Sequence, residues 1–388
     1  MAQGHCDPRF LAIKDAFTKN LEANLDLGAS FVVNMNGENV IDLWGGHMDA
    51  ARTKPWTKDT ITTIWSTTKT ITSLAALLLI DRGLIAPLDP VAKYWPEFAQ
   101  RGKQNVLISH LLSHQSGLSG WEAHVFFEDI LDVPRSTKLL ERQAPWWEPG
   151  TGSGYHAVTY GHLIGEVVRR VTSKTLGQFI TDELATPLGA DFRLGCPDSE
   201  VQRMAGAVPA PPSTNYEGTG AGHLTPNSIA VKTYTGPPLD ASIALTEEWR
   251  KSEVGSANGI SNARGVAKLL SVIANNGVVD GERYLKQETI DLIFKEQSYT
   301  LDHVAATKIR FGLGFALAAE NNPTGILPQD HKLAYWGGWG GSLGIIDMDH
   351  NMSIGYVMNR MELGKFGNTA GRQYVTELYK ILGQQAQG

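Results

Sequence analysis

Thr60-Ile61-Thr62-Thr63-Ile64-Trp65-Ser66-Thr67-Thr68-Lys69-Thr70-Ile71-Thr72-Ser73-Leu74-Ala75-Ala76-Leu77-Leu78-Leu79-Ile80 decides the fold, because its period changes part-way along. Thr60 to Trp65 is β-branched and aromatic, as a strand is. Ile71, Leu74, Ala75, Leu78 and Leu79 then recur at helical spacing, and Gly83 is the stop of a buried helix. At the change of period stands Ser66-Thr67-Thr68-Lys69. A serine hydroxyl is a weak nucleophile until a neighbour takes its proton, and a lysine three residues along a helix shares its face. A chain with this much Ser and Lys holds about one Ser-x-x-Lys by chance, so the surroundings must supply the meaning.

Upstream, Asp7 to Leu27 reads as a helix with Phe10, Ile13, Phe17 and Leu21 on one side. Gly28 to Met35 and Asn39 to Trp44 are β-rich runs around Asn36-Gly37, the strongest short hairpin signal. Downstream, Ile85 to about Arg250 reads as helices and long loops: Ser109 to Ser113, Tyr160 to Val171 and Leu176 to Leu184 are helical, and Pro209 to Pro238 is a surface loop. Ala263 to Asn275 resumes helical spacing. Strand character returns at Phe311 to Leu317, Leu333 to Trp336, Gly344 to Asp347 and Ser353 to Asn359, and Thr369 to Leu382 closes with a helix. The pattern predicts an α/β protein of the α+β type. An antiparallel sheet built from both chain ends is flanked by helices in one domain, 1–84 with 255–388, and 85–254 is a mostly helical insertion. A cleft at such a seam can draw groups from both sides.

The 388 residues suffice for a sizeable core, and 42% hydrophobic with 19% charged residues is ordinary for a globular enzyme. A net charge of −6 argues against nucleic acid and anionic membrane surfaces. Met1 to Asp7 lacks a basic region followed by an apolar core, and the run from Leu74 to Ile80 is too short to span a bilayer. Cys6 and Cys196 lie far apart without CxxC spacing, so a cytoplasmic protein is expected.

Four motifs follow in order: Ser66-Thr67-Thr68-Lys69; His110-Leu111-Leu112-Ser113-His114-Gln115-Ser116-Gly117-Leu118; Glu148-Pro149-Gly150 with Tyr155-His156-Ala157; and Trp336-Gly337-Gly338. Their order resembles that of serine β-lactamases and penicillin-binding proteins, and more closely the class C β-lactamase-like esterases, the family VIII carboxylesterases. The similarity runs from about Gly28 to Asn359. It implies the β-lactamase/transpeptidase-like fold, with Ser66 as nucleophile and Lys69 and Tyr155 jointly as its proton-transfer partners. It also implies an oxyanion hole from the backbone N–H groups of Ser66 and Trp339. Glycines beside the second donor let backbone approach substrate.

Two departures shape the expected substrate. β-Lactamases carry an asparagine two residues after the motif tyrosine and a lysine at the head of the third motif; here these positions are Ala157 and Trp336. Apolar groups in place of a cation and an amide remove the grip on a carboxylate and favour neutral esters. Trp336, Gly337, Gly338, His156 and Ala157 are the expected substrate-binding residues. The resemblance implies a carboxylesterase acting through a Ser66 acyl-enzyme on a small-molecule ester, with no metal or other cofactor. An acyltransferase with the same acyl-enzyme comes second and a β-lactamase or D-peptidase third; a non-catalytic binding protein fits poorly with retention of Ser66, Lys69 and Tyr155.

Other signals have plainer explanations. Gly340-Gly341-Ser342-Leu343-Gly344 spells GxSxG, but that motif needs a helix after the serine, and β-rich sequence follows, so Ser342 reads as a structural turn residue. His110 and His114 have metal-like spacing without the Glu of HExxH, and read as capping and core residues.

Overall fold

The computed structural model describes residues 1–210, 225–320, 324–363 and 366–385. Its central feature is a nine-stranded antiparallel sheet in the spatial order Gln3–Cys6, Glu38–Gly46, Gly28–Met35, Met352–Met358, Leu343–Asp347, Leu333–Gly337, Ala316–Leu317, Lys308–Phe311 and Ser298–Leu301. The N-terminal hairpin turns at Asn36-Gly37, both at positive φ, as a two-residue turn matched to strand twist requires. The C-terminal strand Met352–Met358 lies directly beside Gly28–Met35, with Tyr356 opposite Phe31, so the two chain ends are joined at the middle of the sheet.

Adjacent residues on these strands point to opposite faces and show what covers each. Phe31 and Tyr356 meet Tyr374 of the Thr369–Gln385 helix, which packs beside the Leu11–Glu22 helix. On the other face the Ser30 hydroxyl accepts from the Ala263 N–H at the start of the Ala263–Ala274 helix. Gly355 and Gly344 are cross-strand partners there. A Cβ on Gly355 would lie 2.3 Å from the Ala263 carbonyl, and one on Gly344 3.0 Å from Leu270 and 3.3 Å from Thr67. Two side-by-side glycines thus let this helix and the Ser66 segment settle onto the sheet.

Residues 85–254 hold helices at Ile108–Leu112, Phe127–Leu131, Val133–Arg142, Thr159–Thr172, Leu176–Ile180, Ile229–Thr235 and Glu247–Lys251. Their one strand among the described residues, Phe192–Arg193, pairs with Ile260–Ser261, which pairs in turn with Thr62–Thr63 just ahead of Ser66.

Several expectations need correction. The first helix spans Leu11–Glu22 rather than Asp7 to Leu27, because Pro8–Phe10 is a separate 3-10 turn and Asn24 takes a left-handed φ of 58°. Phe311 to Leu317 is not one strand: Gly312 to Phe315 turn the chain between Lys308–Phe311 and Ala316–Leu317, with Gly314 at φ 87°. Within the stretch read as the Pro209 to Pro238 loop, Ile229–Thr235 is a helix capped by the Ser228 hydroxyl, and residues 211–224 lie outside the described residues. Gln3–Cys6 and Ser298–Leu301, polar edge strands without a clear alternating pattern, were not expected at all.

Candidate active site

Ser66 sits in a 3-10 turn, Trp65–Thr67, that leads into the helix Thr68–Asp81. The turn is held by hydrogen bonds from two remote places. Ile64 N–H donates to the Gly259 carbonyl at 2.9 Å, and Gly259 N–H donates to the Thr68 hydroxyl at 2.9 Å. The Ser342 hydroxyl donates to the Ile64 carbonyl at 2.7 Å, which leaves its oxygen to accept from the Thr67 hydroxyl at 2.9 Å. Trp65 adopts φ 48°, a left-handed conformation that a bulky residue keeps only when its surroundings impose it. Its ring is wedged between Trp249 at 5.8 Å and Trp339 at 5.0 Å.

Lys69 and Tyr155 both reach the Ser66 hydroxyl. Lys69 Nζ lies 3.1 Å from Ser66 Oγ, and the Tyr155 hydroxyl donates to the same oxygen at 2.7 Å. Lys69 is buried beneath them with no carboxylate partner among the described residues, and it donates to the carbonyls of Ala157 at 2.7 Å and Ser256 at 2.9 Å. Burial pushes its pKa well below the usual lysine range. A neutral amine has two N–H groups, which these carbonyls take up, and one lone pair, which is left for the Ser66 proton. Lys103 supplies the contrast inside the same molecule: also buried, it donates to three carbonyls, Gln100, Glu141 and Gln143, which match all three N–H groups of an ammonium ion.

Burial works on Tyr155 in the other direction, pushing its hydroxyl up to about 12 against the lowering effect of its contacts with Ser66 and Trp336. Trp336 packs on the Tyr155 ring at 5.1 Å with its indole nitrogen 3.5 Å from the phenol oxygen. The backbone of Tyr155 is fixed by Asp302, a residue with no motif around it: Asp302 Oδ1 accepts from the N–H groups of Tyr155 at 2.9 Å, Val304 at 2.9 Å and Ala305 at 2.8 Å.

The third motif comes alongside the nucleophile. A Cβ on Gly338 would lie 2.4 Å from the Ile64 carbonyl and 3.1 Å from Trp65 Cβ, so only glycine permits this approach. Among the described residues neither the Ser66 nor the Trp339 backbone N–H donates to a protein acceptor. Around them Trp336, Gly337, Gly338 and Ala157 are partly exposed and Trp339 is exposed, so this end of the site opens to solvent.

His156 requires a correction. It was expected to touch substrate, but it is fully buried below the cleft, donating through Nδ1 to the Gly154 carbonyl at 2.6 Å and accepting through Nε2 from the Ser116 hydroxyl at 2.7 Å. Burial lowers its pKa to about 3, so the ring is neutral. His110 accepts from the Leu107 N–H and caps the Ile108–Leu112 helix. His114 is packed among Tyr155, Tyr160, Phe311 and Trp336. Asp302 and the Ser256 carbonyl were missed from sequence; neither lies in a pattern that could have pointed to it.

Comparison with known proteins bears on the family and the fold. The Beta-lactamase family model matches residues 17–376. The chain belongs to the beta-lactamase family. This family member is 30% identical over 92% of its length to a Mycobacterium tuberculosis protein named Esterase/beta-lactamase LipL, covering 83% of that chain. It is 26% identical to Esterase EstB of Burkholderia gladioli, over 90% of both chains. Among solved structures, a family VIII carboxylesterase superposes with a TM-score of 0.90 at 37% identity, covering 98% of this beta-lactamase family chain and all of the other.

Proposed function

We propose that this chain is a serine carboxylesterase that hydrolyses small, neutral esters through an acyl-enzyme on Ser66. The observation that carries the reading is the pair of contacts on one oxygen: Lys69 at 3.1 Å and Tyr155 at 2.7 Å from Ser66 Oγ, with the lysine's other hydrogen bonds among the described residues going to two backbone carbonyls. Lys69, as a neutral amine, accepts the Ser66 proton while Oγ attacks the acyl carbon. The oxyanion is met by the N–H groups of Ser66 and Trp339. As the tetrahedral adduct collapses, the alcohol leaves with a proton delivered by Tyr155, which stays protonated because burial raises it to about 12. The proton held by Lys69 refills the tyrosine. Water then reverses the sequence and releases the acid, restoring Ser66, Lys69 and Tyr155 to their starting states.

Trp336 directs this machinery toward esters. It presents an indole beside Tyr155, at the position where the β-lactamases that the motifs resemble carry a lysine, so a substrate carboxylate meets no cation at that position. The names and solved structures of the similar proteins, two esterases and a family VIII carboxylesterase, support the same substrate class. Among the described residues no helix is long and apolar enough to cross a membrane. Two free cysteines and a net charge of −6 support a cytoplasmic enzyme that acts on a small molecule rather than on nucleic acid.

The test is hydrolysis of p-nitrophenyl butyrate by wild type and Ser66→Ala, with nitrocefin run in parallel. Ester turnover should vanish in the variant and exceed nitrocefin turnover in the wild type. Undiminished activity in Ser66→Ala would overturn the nucleophile, and nitrocefin turnover equal to that of the ester would overturn the substrate class.

A further inference from the structure

At the opposite end of the strands that carry the third motif, two histidines and an aspartate converge. Asp347 ends the Leu343–Asp347 strand, His350 lies in the turn that follows, and His331 stands just ahead of Leu333, the residue paired with Asp347 across the sheet. The Asp347 side chain is wholly buried, whereas those of His331 and His350 remain about one-quarter exposed, at 25% and 26%. Both Nδ1 atoms point at the same carboxylate oxygen, Asp347 Oδ2, at 3.1 Å from His331 and 3.0 Å from His350. The other oxygen, Oδ1, accepts from the backbone N–H groups of Asp349 at 2.9 Å and His350 at 3.3 Å, which fixes the plane of the carboxylate.

We infer that His331, Asp347 and His350 form a binding site for a divalent first-row transition ion, separate from the ester-hydrolysing cleft. The three donor atoms lie within 4.8 Å of one another. Ligands at about 2.0–2.1 Å in tetrahedral array sit about 3.3 Å apart, close to both nitrogen-to-oxygen separations found here. The imidazole and carboxylate set suits ions of the Zn²⁺ type rather than Mg²⁺ or Ca²⁺, which prefer oxygen alone. The anchored Oδ1 acts as the outer contact that holds a metal-binding carboxylate in its working orientation.

Binding needs a tautomer change and an inward swing of the two partly exposed rings, since donor atoms as much as 4.8 Å apart must close to about 3.3 Å around one ion. In the metal-free protein each Nδ1 carries the proton it donates to Oδ2; on binding, Nδ1 gives its lone pair to the ion and the ring proton resides on Nε2. No protein partner holds either Nε2 among the described residues, and both rings reach solvent. Partial exposure also leaves the fourth position open to water. Leu333 and Asp347 pair at this end of the strands, and Gly337 and Leu343 pair at the cleft end. Four residues of strand separate the two ends, about 13 Å. The ion is therefore placed to staple two strands and the following turn, not to touch the ester.

The experiment uses the chelator-treated 388-residue chain, isothermal titration with Zn²⁺, and visible absorption after addition of Co²⁺. Wild type should bind one Zn²⁺ per chain, gain thermal stability from it, and give a Co²⁺ spectrum of nitrogen and oxygen ligation. His331→Ala and His350→Ala, chosen because both residues are partly exposed and outside the core, should each weaken binding at least tenfold, and the double variant should abolish the spectrum. p-Nitrophenyl butyrate turnover should be the same in all four proteins with or without ion. Wild-type binding no tighter than that of the double variant would overturn the site and leave a plain hydrogen-bonded trio; a loss of ester turnover on removing the ion would overturn its separation from the cleft.

Discussion

Asp26 should make this protein less stable as pH rises from about 4 to about 6. The carboxylate is fully buried behind the sheet, where Tyr356 donates to Oδ1 at 2.5 Å and Tyr374 to Oδ2 at 2.7 Å. Those donors do not offset the loss of water, and burial raises its pKa from 3.8 to about 6. Between these values the folded chain holds a proton that the unfolded chain has released. Stability tied to that proton is therefore fully present below pH 3.8 and is lost as pH climbs through about 6. A shift of about two units corresponds to about 3 kcal/mol. For a chain of this length that is ~4 °C in Tm. The assay is thermal unfolding of wild type and Asp26→Asn from pH 4 to 7.5, taking the difference between the two proteins at each pH so that all other titrations cancel. Wild type should lose about 4 °C relative to the variant over that range. Parallel curves would refute the reasoning, because they would mean that Asp26 ionises equally in the folded and unfolded chain.

Three more outcomes concern the cleft. Ester turnover should rise with pH through the lowered Lys69 pKa and then stay level into mild alkali, since Tyr155 holds its proton to about 12, and Lys69→Arg, which cannot shed its charge, should be inactive at every pH tested. Asp302→Ala should lower kcat by about 100-fold through misplacement of Tyr155, with KM changed little, while Asp302→Asn, which keeps an acceptor for the three N–H groups, should retain most activity; equal losses in both would count against a positioning role. Ser342→Ala removes two buried hydrogen bonds and should cost about 1–3 kcal/mol in stability while leaving turnover within about tenfold, whereas complete inactivity in a folded variant would revive Ser342 as a nucleophile.

What could be read from sequence was whatever chemistry writes in residue types. Ser66, Lys69 and Tyr155 are legible because a hydroxyl, an amine and a phenol are each required by identity, and Trp336 because an indole where a lysine would serve changes the substrate. The Asn36-Gly37 hairpin was legible because a turn with two positive φ angles selects those residues. The carbonyls of Ala157 and Ser256 that hold Lys69 were not, since every residue has a carbonyl. Asp302 was hidden for a related reason: its carboxylate grips Tyr155 from 147 positions away by the backbone N–H, which every residue but proline carries. His156 misled because a histidine beside a reactive tyrosine looks like a ligand for substrate, yet its neighbours Gly154 and Ser116 occupy both ring nitrogens. The edge strand Ser298–Leu301 escaped because its short Ser-Tyr-Thr-Leu sequence, without turn residues at both ends, resembles loop as much as strand.

The clasp on the Ser66 turn has a bearing on how the enzyme comes to life. Ser342 reaches back 278 positions to Ile64, so a ribosome emitting the chain at ~5–20 residues per second completes the serine's environment about 14–55 seconds after the serine itself emerges. Until then the reactive hydroxyl lacks the Trp339 donor and the brace on its turn. Nascent and truncated chains are on this account chemically silent toward esters, and a chain ended at Asp330 should show no turnover of p-nitrophenyl butyrate although it contains Ser66, Lys69 and Tyr155. Reactivity is on this account acquired late, delivered by the same closing strands that seal the sheet.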